Sequence, residues 1–215
     1  MIKIFPSLLA ADFGRLAAEI KALEAAGADG FHLDIMDLDF APNLGLGLGD
    51  ALAARRATKK TLSAHLMVKS PLRYVAAIAE FADEIFVHAE SDNAAGALRA
   101  ARRAGVRAGL ALKPRTIIRA RAGEIAELFR LAESLLVLRV EPGFSGQAAV
   151  KGVDGRIEKL CALGLPVAVD GAVDRAAVAR LAPLGVKRFA AGAAVFKAPR
   201  GYATAIKSLK TAGGP

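Results

Sequence analysis

The chain holds three histidines, and each sits at the end of a short apolar run. His32 and Asp34 stand two apart in Phe31-His32-Leu33-Asp34-Ile35-Met36-Asp37. Side chains alternate along a strand, so the two point the same way. An imidazole and a carboxylate placed like this can reach one divalent ion. The pair also suits a buried His held by an Asp, and the pattern alone leaves both open. His65 follows Ser63-Ala64, His88 precedes Ala89-Glu90, and Asp170 ends Ala168-Val169-Asp170 just before Gly171-Ala172. His32, Asp34, His65 and Asp170 make a two-histidine, two-carboxylate set of the kind that takes zinc, manganese, iron or cobalt. With no thiolate in the set, a structural zinc is not the expectation. His88, on the same rim, reads as a hydrogen-bonded structural histidine, with a place behind the metal ligands as the alternative, and Asp37 as the residue that orders the loop after its strand.

A second chemistry lies in three glycine-bearing turns, Pro142-Gly143-Phe144-Ser145-Gly146-Gln147, Gly171-Ala172 and Gly192-Ala193. Backbone N–H groups at such turns can cradle a phosphate. Glycine can also simply permit a tight turn. Their place after the last three apolar runs favours phosphate, if the runs build a barrel.

Those runs must position the residues. Strands are expected at Ile2–Phe5, Gly30–Ile35, Thr61–Met67, Glu84–His88, Val106–Leu112, Leu135–Val140, Val167–Asp170 and Arg188–Ala191. Between them lie amphipathic stretches, Phe13–Ala26, Leu72–Phe81, Ala94–Ala104, Ile117–Leu131, Gly155–Leu163, Arg175–Leu184 and Tyr202–Leu209. Gly27, Gly105, Gly164 and Gly185 follow four of them, a repeated helix-stop signal. Eight units in 215 residues leave about 27 residues each, close to the minimum for a strand and a crossover helix. Strict alternation argues a parallel sheet, and eight units argue closure into a single (β/α)8 TIM barrel. An open doubly wound sheet would want G-x-G-x-x-G after the first strand, which is not there. The tail from 210 to 215 is expected to fray. A barrel carries its site at the C-terminal ends of its strands, where the three histidines and the turns fall.

Composition narrows the class. One cysteine excludes a disulfide framework and fits a reducing cytoplasm. No apolar run reaches the roughly 18 residues of a membrane span, and the N-terminus reads as a strand rather than a signal peptide. The net charge of +9 invites a nucleic-acid reading. The basic residues are scattered through helices (Arg15, Lys21, Arg55, Arg56, Arg99, Arg102, Arg103, Arg119, Arg121), without an aromatic–basic motif. A solvated basic surface or an anionic substrate accounts for the charge better, and no nucleic-acid or membrane partner is expected.

From Pro6-Ser7 to about Phe196 the chain resembles the ribulose-phosphate 3-epimerase family. The resemblance rests on Pro6-Ser7-Leu8-Leu9-Ala10-Ala11-Asp12-Phe13, His32-Leu33-Asp34-Ile35-Met36-Asp37, Phe40-Ala41-Pro42-Asn43, His65-Leu66-Met67-Val68, Val140-Glu141-Pro142-Gly143-Phe144-Ser145-Gly146-Gln147, Val169-Asp170-Gly171 and Ala191-Gly192-Ala193-Ala194-Val195-Phe196. It implies a metal-dependent 1,1-proton transfer at C3 of a ketose phosphate, D-ribulose 5-phosphate to D-xylulose 5-phosphate first. A related ketohexose 6-phosphate, or a barrel that binds a sugar phosphate without catalysis, is the alternative. It implies that His32, Asp34, His65 and Asp170 bind a divalent metal, zinc before iron, manganese or cobalt. It makes Asp34 and Asp170 the acid/base pair. It gives Ser7, His65, Met36 and Met67 to the substrate, and Gly143, Phe144, Ser145, Gly146, Gly171, Ala172, Gly192 and Ala193 to its phosphate end. A homo-oligomer is also implied. A metal-free barrel of the orotidine-phosphate decarboxylase group would want a lysine interleaved with the aspartates, whereas Lys59 and Lys60 precede the third strand.

The chain departs from the family pattern at several points. Leu38-Asp39 stands for Gly-His, Ser63 for an Asp, Ser145 and Ala172 for Gly, Ala193 for Ser and Leu138 for Met. A Phe soon after Gln147 is missing. Leu38 is expected to bring bulk beside the metal strand and Asp39 a negative charge near an anionic sugar. Ser63 is expected to cost a carboxylate behind the metal ligands, a loss worth roughly 10–100-fold in metal affinity.

Overall fold

The computed structural model describes residues 1–116 and 123–214. Eight parallel strands run β1 (Lys3–Pro6), β2 (Gly30–Met36), β3 (Thr61–Met67), β4 (Glu84–His88), β5 (Arg107–Leu112), β6 (Ser134–Leu138), β7 (Val167–Asp170) and β8 (Arg188–Ala191). Each bound lies within two residues of the expected one. The helices are α1 (Leu16–Ala25), α2 (Leu48–Ala57), α3 (Leu72–Ala79), α4 (Ala94–Arg103), α5 (Gly123–Leu131), α6 (Val153–Cys161), α7 (Arg175–Leu181), the one-turn α8 (Ala193–Phe196) and α9 (Gly201–Ala212). Residues 117–122 of the expected fifth helix, with Arg119 and Arg121, lie outside the described residues. No described helix is long and apolar enough to cross a membrane.

Seven strand pairs carry the sheet in the order β1-β8-β7-β6-β5-β4-β3-β2. The seam between β1 and β2 closes through a single parallel bridge, Ser7 to His32. The barrel is therefore nearly closed, and its last stitch lies beside the histidine–aspartate pair. Helices cover the outside because the strands bury both faces, as all-parallel sheets require.

The interior is layered. At the bottom, the buried Glu84 accepts from Ser134 Oγ at 2.7 Å, from Arg188 at 2.5 Å and from Ser63 Oγ at 3.3 Å. The Arg188 guanidinium lies 5.1 Å from the Phe5 ring and 5.2 Å from the Phe86 ring. Gly30 makes room for this packing, since a Cβ there would meet the Phe5 ring at 2.5 Å. Phe86, Ala111, Leu136, Leu138 and Ala168 fill the middle. The top is polar.

The helix Leu48–Ala57 lies outside the expected amphipathic stretches. Its buried residues are Ala51 and Ala54, so no large apolar stripe marks it. The tail was expected to fray from residue 210, yet α9 runs to Ala212. Lys210 Nζ donates to Gly27 O and to Asp29 Oδ1, both at 2.9 Å, and that tie holds the last turn.

Candidate active site

The barrel rim brings His32, Asp34, His65 and Asp170 together, with one donor atom of each inside a 4.8 Å group. Register does the placing. Asp34 on β2 is level with His65 on β3, and Asp170 on β7 is level with Leu138 and Ala190. His65 Nδ1 lies 3.2 Å from Asp34 Oδ1 and 3.8 Å from Asp170 Oδ2. His32 Nε2 lies 3.4 Å from Asp34 Oδ1, 4.0 Å from Asp170 Oδ2 and 3.3 Å from His65 Nδ1. A tetrahedral ion with bonds of about 2.0–2.2 Å would set its donors about 3.3–3.6 Å apart. The cluster fits such an ion with small adjustments, and its two nitrogens and two oxygens suit zinc, iron, manganese or cobalt.

Each carboxylate has one oxygen held and one free. Ser7 Oγ donates to Asp34 Oδ2 at 2.6 Å, leaving Oδ1 in the cluster. The Gly171 N–H donates to Asp170 Oδ1 at 2.7 Å, leaving Oδ2 in the cluster. Burial pushes Asp34 up, but His32 and His65 outweigh it and hold the carboxyl far below the usual range. Asp170 moves the other way, because burial and the Asp34 charge together raise it over the pull of His32 and His65. Burial alone would lower His32, and the Asp34 and Asp170 carboxylates outweigh it and raise it. Two neighbouring carboxylates pushed apart in this way can divide acid and base roles between them.

His88 is more than a structural histidine. Its Nε2 lies 2.9 Å from His65 Nε2, and its Nδ1 lies 2.9 Å from Glu90 Oε2. Burial lowers His88 to about 4, so it is neutral at pH 7. Burial alone would raise Glu90, but the hydrogen bond from His88 leads the pulls that hold it down at about 2. An ionised Glu90 can only accept, so the His88 proton sits on Nδ1. His88 Nε2 must then accept from His65 Nε2–H. With Nε2–H given to His88, His65 can present Nδ1 as a lone pair to an ion that enters the cluster, the form a metal ligand needs. Glu90 was not singled out from the sequence, although its place two residues after His88 was a usable signal.

Above the cluster opens a cleft. It is lined by Ser7, Asp34, Met36, Met67, Asp170 and the turn residues Gly143, Phe144, Ser145, Gly146, Gly171, Ala172, Gly192 and Ala193. Leu9, Leu138, Val140, Glu141, Pro142, Val173, Ala190 and Ala194 complete the wall and went unremarked as site residues, apart from Leu138. His65 does not line the cleft; it is fully buried behind Asp34. Asp37 orders its loop as expected, accepting from the Asp39, Phe40 and Lys69 N–H groups.

The departures land differently from their expected effects. Leu38 is 61% exposed and turns away from the cleft, at the cost of a left-handed φ of 65°. Asp39 pairs with Lys69 at 3.3 Å, which offsets its charge. Ser63 faces Glu84 in the layer below, and His65 is oriented from the other side by His88.

A parallel barrel with an N2O2 cluster at its C-terminal rim, beneath a cleft walled by glycine-bearing turns, has the make-up of a sugar-phosphate isomerase. Residues 3–196 match the model of the Ribulose-phosphate 3 epimerase family. The chain is 37% identical to the ribulose-phosphate 3-epimerase of Synechocystis sp., over 100% of this chain and 95% of that one. It is 35% identical to the ribulose-phosphate 3-epimerase of Bacillus subtilis, over 91% and 93% respectively. The chain belongs to the ribulose-phosphate 3-epimerase family, whose named members are isomerases. A 3-hexulose-6-phosphate synthase structure superposes with a TM-score of 0.71 at 23% identity, over 98% of this chain and 99% of that one, and shares the fold.

Proposed function

We propose that the protein interconverts D-ribulose 5-phosphate and D-xylulose 5-phosphate by moving the C3 proton between Asp34 and Asp170. The observation that carries this is the pairing of two carboxylates at one four-donor cluster, each with one oxygen anchored and one free. A proton beside a ketone is too weakly acidic for a carboxylate unaided. A divalent ion held by His32, Asp34, His65 and Asp170, with zinc the first expectation, supplies the Lewis acidity that makes it removable. Ser7 fixes the plane of Asp34, and the Gly171 N–H fixes that of Asp170. One carboxylate takes the proton from one face of C3, and the other returns one to the opposite face. Met36, Met67 and Leu138 keep the wall beside the reacting carbon apolar and water-poor. The turns at Gly143–Gly146, Gly171–Ala172 and Gly192–Ala193 hold the phosphate through backbone N–H groups.

The single cysteine and the named cytoplasmic isoform of Oryza sativa among the relatives support a cytoplasmic site of action. A homo-oligomer is the expected assembly, to be read by sedimentation.

The test is NMR of D-ribulose 5-phosphate in D2O, with and without a strong chelator. Deuterium entry at C3 together with D-xylulose 5-phosphate, both abolished by the chelator, is the expected result. Neither event, in folded and metal-loaded protein, would overturn the proposal.

A further inference from the structure

Arg139 follows β6 and is the only lysine or arginine among the described residues that is buried, at 3% exposure. Its guanidinium forks onto Asp154 at the start of α6, with Nε 3.0 Å from Oδ1 and Nη2 3.4 Å from Oδ2. The remaining nitrogen, Nη1, donates to the Ala172 carbonyl at 2.6 Å. Arg180 on α7 also reaches Asp154, at 3.4 Å. One side chain thus links the end of β6 and the first turn of α6 to the turn after β7. It is not part of the cleft wall, whose neighbours there are Leu138 and Val140.

The turn it holds is strained. Gly171 has a φ of 85° and Ala172 a φ of 49°, two left-handed residues in succession. Gly171 can take no side chain, since a Cβ would meet Val140 Cγ2 at 2.6 Å. Ala172 has a Cβ, and a left-handed alanine is disfavoured by roughly 5–30-fold in population. The family pattern has a second glycine at this position, where the conformation costs almost nothing. Gly171, Ala172 and Val173 all line the cleft.

We propose that Arg139 is a positioning residue: by gripping the Ala172 carbonyl it locks the Gly171–Ala172 turn in its left-handed form and so presets the phosphate end of the cleft. It does this without touching the phosphate, and Asp154 offsets its charge. The inference rests on the phosphate assignment made above. It also explains how the chain tolerates Ala where the family pattern has Gly.

The experiment is a double-mutant cycle between Arg139→Met and Ala172→Gly, read by steady-state kinetics with D-ribulose 5-phosphate and by inorganic phosphate as a competitive ligand. Arg139→Met should raise both KM and the phosphate dissociation constant about tenfold, with kcat within about threefold of wild type. Adding Ala172→Gly should return both constants to within about threefold of wild type, because a glycine turn needs no clamp. A merely structural arginine would not be rescued by one glycine at a distance. Unchanged constants in Arg139→Met would overturn the proposal, as would a loss that Ala172→Gly does not relieve or one that falls mainly on kcat. If Arg139→Met does not fold, Asp154→Asn loosens the same fork at a partly exposed residue. It should raise KM by a smaller factor that Ala172→Gly again removes, and no such rise counts against the clamp. A wild-type protein that binds phosphate but turns over no pentose phosphate sinks the function and not the clamp, which the phosphate titration then decides. A wild type that binds no phosphate sinks both.

Discussion

Replacing Asp170 with Asn removes one basic oxygen, which is also the oxygen Asp170 offers to the cluster, so the variant is read at saturating metal. The retained Oδ1 still accepts from the Gly171 N–H, a bond of 2.7 Å in the wild type. The amide takes the place of Oδ2, which lies 3.8 Å from His65 Nδ1 and 4.0 Å from His32 Nε2. The change also removes a carboxylate whose ionised form burial and the neighbouring Asp34 charge disfavour. Folding should therefore not suffer, and the metal-free variant should melt within about 1 kcal/mol of the metal-free wild type or above it. Chemistry should suffer. A positioned acid or base contributes about 10²–10⁴-fold, equivalent to about 2.7–5.4 kcal/mol at 1.36 kcal/mol per decade. The assay is proton NMR in D2O at saturating metal, started from each pentulose phosphate in turn. Interconversion should fall by about 10²–10⁴-fold, while one of the two epimers still takes deuterium at C3 through Asp34. Asp34→Asn should show the converse, exchange surviving only in the other epimer. Interconversion within about tenfold of wild type would refute Asp170 as half of the pair. Equal loss of exchange from both epimers in both variants would show that the carboxylates act only by holding the ion.

Removing the ion with a chelator should abolish turnover. Zinc, manganese, iron or cobalt added back at about a hundred times its dissociation constant should restore turnover and stabilise the fold by about 2.7 kcal/mol, read as a shift in Tm. Glu90→Gln takes away the carboxylate that fixes the His88 and His65 protons, and chelator competition should show metal affinity lower by roughly 10–100-fold; an unchanged affinity contradicts the relay. Glu84→Ala leaves Arg188 unpaired at the barrel bottom and should cost about 3–5 kcal/mol at pH 7 by urea unfolding. Burial pushes Glu84 up, yet Arg188, with Ser134 and Arg107, together outweigh it and hold the folded pKa below its ordinary value of 4.5. The Glu84 contribution is therefore full above that value and lost as pH falls through the folded pKa, so wild type and variant should converge in acid. A gap constant from pH 7 down to about 3 contradicts the pairing.

The strands and the four cluster residues were legible because both obey a short period. A strand puts i and i+2 on one face, so His32 and Asp34 declare themselves as a pair, and the rim rule gathers His65 and Asp170 without any knowledge of register. What stayed hidden depends on contacts between elements. His88 stands two residues beyond the position level with His65, since His65 pairs with Phe86. Its reach to His65 Nε2 is a diagonal that spacing within one strand cannot reveal. The helix Leu48–Ala57 packs through Ala51 and Ala54, so it lacks the large apolar period by which helices are read. The last turn of α9 is held by Lys210 reaching residues near position 28, far away in sequence.

The departures from the family pattern follow the same logic. Read singly, each subtracts something: a glycine at positions 38 and 172, a carboxylate at position 63, charge neutrality at position 39. In the folded chain three of these are met by a second residue. Lys69 faces Asp39, His88 orients His65 where Ser63 does not, and Arg139 grips Ala172. Leu38 is the exception, since its side chain points outward and its φ of 65° is paid by the chain as strain of about 1–2 kcal/mol. That difference ranks the positions. A strained residue outside the cleft weakens the fold alone, so Leu38→Gly should raise stability and leave KM where it is. A strained residue in the cleft wall governs where backbone N–H groups point, and there a held conformation bears on substrate affinity as well as on stability. The presence of a buried arginine at residue 172, and of none at residue 38, accords with that division.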